Sequence, residues 1–317
     1  MDYIQADRQD KKLNLGETDK KIIYAYSQNC RLNKKQLASQ LHISPQKLQY
    51  RVDKLQDTLF TPDVIVDPTA IGLNMYLLSV EHVGKPAFTS FKEHDEVYLV
   101  TEVTGSKDFL AIVVTNEIKD FLRRTLPETY VKTYPITNIQ PDDFNGFGVD
   151  MERVETSEKQ PLDLNSKHFD ILASTMKHPQ KSAYQLSKDI DYDHRTVQKY
   201  QEDLHEHGII RKWRYQIDVF KMGFEAYFIH VDLGVDDVDQ LKKYQYEDKY
   251  SGFLYEGISE VFFWYLPQDA SELHTFISDI YENFTIHSLD IYQVGRFYYL
   301  ENTPKILEKH CEKKAKE

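Results

Sequence analysis

Sliding the chain along itself by 149 positions sets Leu13, Leu15, Ile22, Ile23, Leu37, Leu41, Leu48 and Leu55 on Leu162, Leu164, Ile171, Leu172, Leu186, Ile190, Val197 and Leu204, apolar on apolar at every position. At an offset of 151 the match resumes, with Val66-Asp67 on Ile217-Asp218 and then Gly72, Tyr76 and Val80 on Gly223, Tyr227 and Val231. Order kept over so long a span reads as a tandem duplication of one unit, so whatever the first half folds into, the second half is expected to repeat. The polar segment 150–161 (DMERVETSEKQP) reads as the linker between copies.

The 317 residues leave room for two to four domains, and 41% hydrophobic with 13% aromatic residues supply packed cores rather than disorder. No apolar run reaches the ~18 residues of a membrane span, and Met1 to Lys12 is polar, so a cytoplasmic protein without a membrane partner is expected. Cys30 and Cys311 cannot build a disulfide framework or a cysteine-rich zinc site. No metal and no cofactor is expected. The net charge of -12 hides its distribution: residues 1–60 carry 11 Lys+Arg against 7 Asp+Glu, whereas residues 61–160 carry 9 against 17. Residues 161–216 are near neutral and 217–317 again acidic, so charge alternates with the repeat.

The first part of each copy reads as helical. Ile22, Ile23 and Tyr26 share one face over 19–27; Asn33, with Gln36 three residues on, opens a second helix ending near Leu41. After a short turn, Ser44 and Pro45 are N-cap and first residue of a third helix to about Gln56. Ser182 with Gln185, Asp193, and a helix from His194 to His207 stopped by Gly208 repeat the order. Three helices with a tight turn before the last spell helix-turn-helix, and Ile209 to Ile217 reads as a two-stranded wing. The second part of each copy alternates. Strands are expected at 74–81, 97–103, 109–114 and 130–139, with helices at 86–93 and 116–126. In the second copy they fall at 226–233, 253–257, 261–266 and 285–294, with helices at 238–246 and 270–281. That βαββαβ order predicts a ferredoxin-like sandwich in each copy. The fold class is α+β, two winged helix-turn-helix domains alternating with two ferredoxin-like domains. The boundaries are 13–66, 67–149, the linker 150–161, 162–217, 218–300 and a charged tail 301–317.

On the third helix Leu48, Val52 and Leu55 point one way, leaving Gln46, Lys47, Tyr50 and Lys54 opposite, Arg51 on a flank, and Ser44 and Gln49 beside them. Lysine and arginine neutralise phosphates, and glutamine can pair with adenine in a major groove that admits one helix. A solvated Lys/Gln surface is the competing reading; the preceding turn and the basic balance favour double-stranded DNA. In the second copy Arg195 and Lys199 take the places of Gln46 and Tyr50, Glu202 and Asp203 weaken the field, and the wing adds Arg211, Lys212 and Arg214. That head reads either as a second DNA contact or as a degenerate one kept for packing, and Trp213 as a stacking or a packing residue.

Each copy resembles a member of the Lrp/AsnC (feast/famine) regulators. The resemblance rests on Leu13-x-Leu15-x-x-x-Asp19-x-x-Ile22-Ile23, Leu37-Ala38-x-x-Leu41-x-Ile43-Ser44, Val52-x-x-Leu55, and Val103 to Phe109 between two strands. It covers about 13–140 and 162–295. It implies a transcriptional regulator whose βαββαβ halves pair, here within the chain and also in a homodimer, and an amino-acid effector near Gly105, Ser106 and Asp108. In the second copy Glu256-Gly257-Ile258-Ser259-Glu260 replaces that loop without its Asp; for the first, a plain hairpin turn is the other reading. His205-x-His207 lacks the i, i+4 spacing of a helical zinc pair, and there is no phosphate loop or nucleophile elbow, so no enzyme is expected. Three alternatives stay open: a ligand sensor without DNA contact, an adaptor with retired heads, and an enzyme of the siroheme-decarboxylase kind, which resembles two such units joined. The last would draw on His82, His94, Arg123, Arg124, His230, His274, His287 and Arg296.

Overall fold

The computed structural model describes residues 3–9, 12–59, 61–81, 88–89, 91–105, 107–127, 129–140, 161–234, 237–238, 240–241, 251–257, 259–267, 269–300 and 305–316. Ser106, His82, Ile258, nearly all of the linker and parts of the helices expected at 86–93 and 238–246 lie outside them. The chain divides into two compact units. Residues 14–71, 147–218 and 307–317 form a helical unit, and residues 1–13, 72–146 and 219–306 a sheet unit.

In the helical unit, α1 (Glu17–Gln28) starts with Glu17 and Asp19 in its first turn, where acids meet the positive end of the helix dipole. Its Ile22, Ile23 and Tyr26 are buried. Asn33 accepts from the amides of Lys35 and Gln36 to open α2 (Lys34–Gln40). His42, at φ 53°, turns the chain, and Ser44 Oγ accepts from the Lys47 amide at 3.2 Å as α3 (Pro45–Leu59) begins. β2 (Thr61–Val66) follows. The later segment repeats this order: α5 (Ser166–Lys177), α6 (Ala183–Leu186) opened by a Ser182/Gln185 capping box, α7 (His194–Glu206) capped by Asp193, and β8 (Ile210–Gln216). Gly208 stops α7 at φ 68°, a conformation open to glycine at little cost. The expected two-stranded wing over Ile209 to Ile217 is instead the single strand β8, and its antiparallel partner is β2. A lone strand leaves its backbone unpaired, and the nearest ladder was the equivalent strand about 150 residues earlier rather than a local hairpin. The tail forms α9 (Lys305–Lys316), which buries Leu307 and Cys311 in this unit and pairs Lys177 with Glu312.

The sheet unit holds β3 (Met75–Glu81), β4 (Val97–Val103), β5 (Phe109–Val114), α4 (Ile118–Thr125) and β6 (Tyr130–Ile136). Its later segment holds β9 (Tyr227–Leu233), β10 (Ser251–Glu256), β11 (Glu260–Tyr265), α8 (Ala270–Asn283) and β12 (Ile286–Leu300). The strand orders are β6-β3-β5-β4 and β12-β9-β11-β10. They join into one path because the far half of β12 pairs with β4, and β10 pairs with β7 (Asn138–Gln140), the stretch that follows β6 after Thr137. The N-terminal β1 (Tyr3–Asp7) pairs with the end of β12. Alternation sorts the side chains: Ile229, Val231 and Leu233 pack with Phe276 and Ile280 of α8, and Leu78, Val80, Phe109 and Val113 with Phe121 of α4. Phe228, Phe262, Trp264 and Phe297 form a second, aromatic cluster on the other face of β9, β11 and β12.

Candidate nucleic-acid interface

With Leu48, Val52 and Leu55 buried at i, i+4 and i+7, α3 has one face locked into the helical unit and the other turned outward. Gln46, Lys47, Tyr50 and Lys54 stand on that outward face, Tyr50 with 69% of its surface exposed. Two of the residues expected to read DNA are already engaged. Gln49 accepts from Lys34 Nζ at 2.7 Å and donates to Asp53, and Arg51 is paired with Asp19 at 2.5 Å. Ser44 holds the start of the helix. On α7, Val197, Gln201 and Leu204 are buried, and Arg195 and Lys199 are exposed. Gln198 donates to Glu202 across the same turn.

Contrary to the expected DNA contact, Arg211, Lys212 and Arg214 do not lie on the outer surface. They are 4%, 3% and 8% exposed on β8. Arg211 and Arg214 lie 3.9 Å from Asp67 and Asp63, and Lys212 donates to Gln28 Oε1 at 3.2 Å. A cation buried against a carboxylate is not available to a phosphate without opening the strand pair. Trp213 packs edge-on against His205 and under the Arg31 guanidinium, whose carbon lies 4.7 Å from its ring centre. Arg31 also donates to Pro179 O at 2.7 Å and to Gln201 Oε1 at 3.2 Å, and Gln201 donates to Thr175 Oγ1. Burial pushes Arg31 down to about 10 and Cys30 up to about 12. Its spacing from Val197 and Leu204 turns Gln201 inward, but no sequence signal marked its partners or Arg31, since Thr175 lies 26 positions from Gln201 and the partners of Arg31 lie 148 to 170 positions away.

In the sheet unit the Gly105 loop is a β4–β5 turn with Gly105 at φ 120°; Asp108 is exposed, and Thr104 donates to Gln293 O at 2.9 Å. Gly257 closes the matching turn by donating to Glu260 O. The polar residues weighed for chemistry are scattered. Arg123 and Arg124 pair with Asp120 and Glu96, Arg296 with Asp7 and Glu102, and His274 and His287 are exposed. His94 packs edge-on against Phe121. His230 alone among those described is buried. It stacks on Phe262 at 4.4 Å, lies 5.1 Å from the Tyr134 ring, and its Nδ1 is 3.3 Å from Asp290. Burial lowers the His230 pKa against the opposing pull of Asp290, and raises Tyr134 to about 12. Among the described residues no group of three or more His, Cys, Asp or Glu is placed to hold a metal ion, and no helix is long and apolar enough to cross a membrane.

A family model described as winged helix-turn-helix DNA-binding matches residues 15–58. An uncharacterized HTH-type transcriptional regulator, y4tD of Sinorhizobium fredii (strain NBRC 101917 / NGR234), is 27% identical over 167 residues, 49% of this chain and 94% of that protein. Among solved structures, the siroheme decarboxylase NirDL is similar over 94% of this chain and 98% of its own, with a TM-score of 0.56 at 12% identity. Its complex with an iron-uroporphyrin III analogue gives 0.57. AsnC of E. coli covers 40% of this chain at 20% identity, with a TM-score of 0.34. The chain is thus a mixed α and β protein whose residues 15–58 match a winged helix-turn-helix and which is similar over about half its length to an HTH-type regulator. The expectation that it is not an enzyme is overturned: the fold that spans nearly the whole chain is one an enzyme also uses. Nucleophile, phosphate and zinc motifs are not the only chemistry a shared fold can host, so their lack in the sequence does not exclude an activity.

Proposed function

We propose that the chain is a regulator that binds double-stranded DNA, built as a tandem of two Lrp/AsnC-like units. Each unit is a winged helix-turn-helix followed by a ferredoxin-like half, and the halves pair within the chain. The observation that carries this reading is the outward face of α3, where Gln46, Lys47, Tyr50 and Lys54 stand together on a helix whose other face is buried. Two lysines supply phosphate contacts, and Gln46 at the first turn supplies a side chain able to make two bonds to adenine. Arg195 and Lys199 of α7 add a second, weaker basic face. An amino-acid effector near Gly105 to Asp108, and association of two chains, extend the same reading. The test is fluorescence anisotropy with labelled duplexes between about 50 and about 200 mM salt, where the logarithm of the affinity should fall linearly with the logarithm of salt. Absence of binding at the lowest salt contradicts the proposal.

A second reading is favoured by the likeness to the siroheme decarboxylase over 94% of the chain. It makes the sheet unit a tetrapyrrole-binding site and places the buried imidazole of His230 near it. Titration with siroheme separates the readings: a shifted Soret band followed by loss of carbon dioxide from the tetrapyrrole supports the enzyme, and an unperturbed spectrum removes it.

A further inference from the structure

The ribbon β2–β8 buries four charged side chains, Asp63 on β2 and Arg211, Lys212 and Arg214 on β8. Asp63 stands directly opposite Arg214, and the two are 7% and 8% exposed. The Arg214 guanidinium lies 3.9 Å from Asp63 Oδ2, which also accepts from Gln216 Nε2 at 3.1 Å. Further along, Arg211 lies 3.9 Å from the fully buried Asp67. The signs are segregated. Within the ladder the earlier strand contributes the acid and the later strand contributes Arg211, Lys212 and Arg214; Asp218, the buried acid of the later segment, comes after β8 has ended.

At the 151-residue offset of the repeat, Asp63 and Arg214 are the same position of the unit. A ribbon formed by two equivalent strands therefore has this position at its centre, facing itself. If two copies of β8 paired about that centre, Arg214 would face Arg214; if two copies of β2 did, Asp63 would face Asp63. Like charges directly opposed destabilise a ladder, and a buried charge without a counter-charge costs more than an exposed one. Only the unlike pair places opposite signs at the centre.

The neighbours repeat the asymmetry by separate means. Arg31 of the earlier segment covers the Trp213 ring and donates to Pro179 O. The residues matching Arg31 and Trp213 in the other copy are Gln180 and Pro62, and Gln180 bonds the Tyr215 hydroxyl instead. A ribbon of two β8 strands would set Gln180 instead of Arg31 beside both Trp213 rings, and a ribbon of two β2 strands would set Arg31 beside Pro62 with no ring to cover, so either like pairing loses the cation–ring contact.

We propose that β2 and β8 carry a charge code for unlike pairing: the two helix-turn-helix heads are partners for each other, and a second copy of the chain can engage this ribbon only by exchanging strands reciprocally. The inference rests on the tandem reading but not on DNA binding, and it is tested without DNA. In the full chain, Asp63→Arg and Arg214→Asp should each lower the urea midpoint and the melting temperature, and the double variant D63R/R214D should recover most of that loss. Mixing the D63R chain with the R214D chain in equal amounts should give a one-to-one species, seen by native mass spectrometry, that neither variant forms alone, because only the mixed pair restores opposite signs on both ribbons. Should a single reversal leave the chain unfolded, the milder Asp63→Asn and Arg214→Gln and their double variant provide the same cycle by urea midpoint. A double variant no more stable than the sum of its singles, in either cycle, overturns the charge code.

Discussion

Helices α3 and α7 occupy the same place in the same three-helix order, yet each keeps a different part of a common design. At the 149-residue offset, Leu48 and Leu55 correspond to Val197 and Leu204, all buried, so packing holds these positions apolar. Outside, Lys47 corresponds to Thr196 and Lys54 to Asp203, so α7 has lost both lysines that α3 presents. Inside, Val52 corresponds to Gln201, which bonds Thr175 and receives Arg31 from the other head. The Asp19–Arg51 ion pair of the first head becomes His168 against Tyr200, ring centres 4.5 Å apart. The difference teaches that most buried positions are apolar in both heads, Gln201 excepted, while surface charge and buried polar contacts differ between them. We read the first head as the main DNA contact and the second as a brace with a residual basic face.

The largest expected effect separates the outer faces. Lys47→Ala with Lys54→Ala should weaken duplex binding roughly ten- to a hundredfold at low salt and flatten the salt slope by roughly two units. Anisotropy titrations at several salt concentrations read both numbers, and a variant indistinguishable from the parent would remove α3 from the interface. Next comes the inner face: Gln201→Ala strands Arg31 and Thr175 without their shared partner and should cost about 1–3 kcal/mol of stability by urea denaturation. A neutral result would mean that the brace is not polar in origin. The second outer face ranks lower. Arg195→Ala with Lys199→Ala should weaken DNA binding by less than the α3 pair does, and equal losses would erase the distinction between heads.

The smallest effect is one of pH and belongs to the second head alone. Burial lowers the pKa of His168, with Asp203 pulling the other way. A folded-state pKa below the unfolded one means that the unfolded chain takes up the proton first as pH falls. Stability should therefore decline on acidification below the ordinary histidine range, ~6.5, and His168→Gln should flatten that decline. Urea midpoints between about pH 7.5 and about pH 5.5 supply the check, and an unchanged slope in the variant would assign the dependence elsewhere, His230 being the buried imidazole of the other unit.

What could be read in the sequence was local. Asn33, Ser44 and Asp193 cap the helices they were expected to cap, because a cap needs only partners two or three residues away. β4 and β5 occupy the expected ranges, since their apolar runs are bounded by turn residues. Partners distant in sequence were illegible. β8 looked like half of a local wing because its mate β2 lies some 150 residues earlier, and its three cations looked like surface groups because the carboxylates of Arg211 and Arg214 come from that strand or its end and the Gln28 amide that Lys212 meets from α1. The expected strand over 130–139 divides into β6 and β7, which pair with different neighbours, β3 and β10. A tail that reads as charged hides the buried pair Leu307 and Cys311 in α9.

The central claim is that one chain presents two unlike heads to one duplex, and selection from a random duplex pool with the full-length protein tests it most directly. Gln46, Lys47 and Tyr50 on one head and Arg195 and Lys199 on the other should enrich a non-palindromic site, adenine-containing in one half and guanine-containing in the other. Native mass spectrometry of the complex counts the chains bound. A short palindromic consensus held by a single chain would contradict the account, because heads of different chemistry cannot read identical halves.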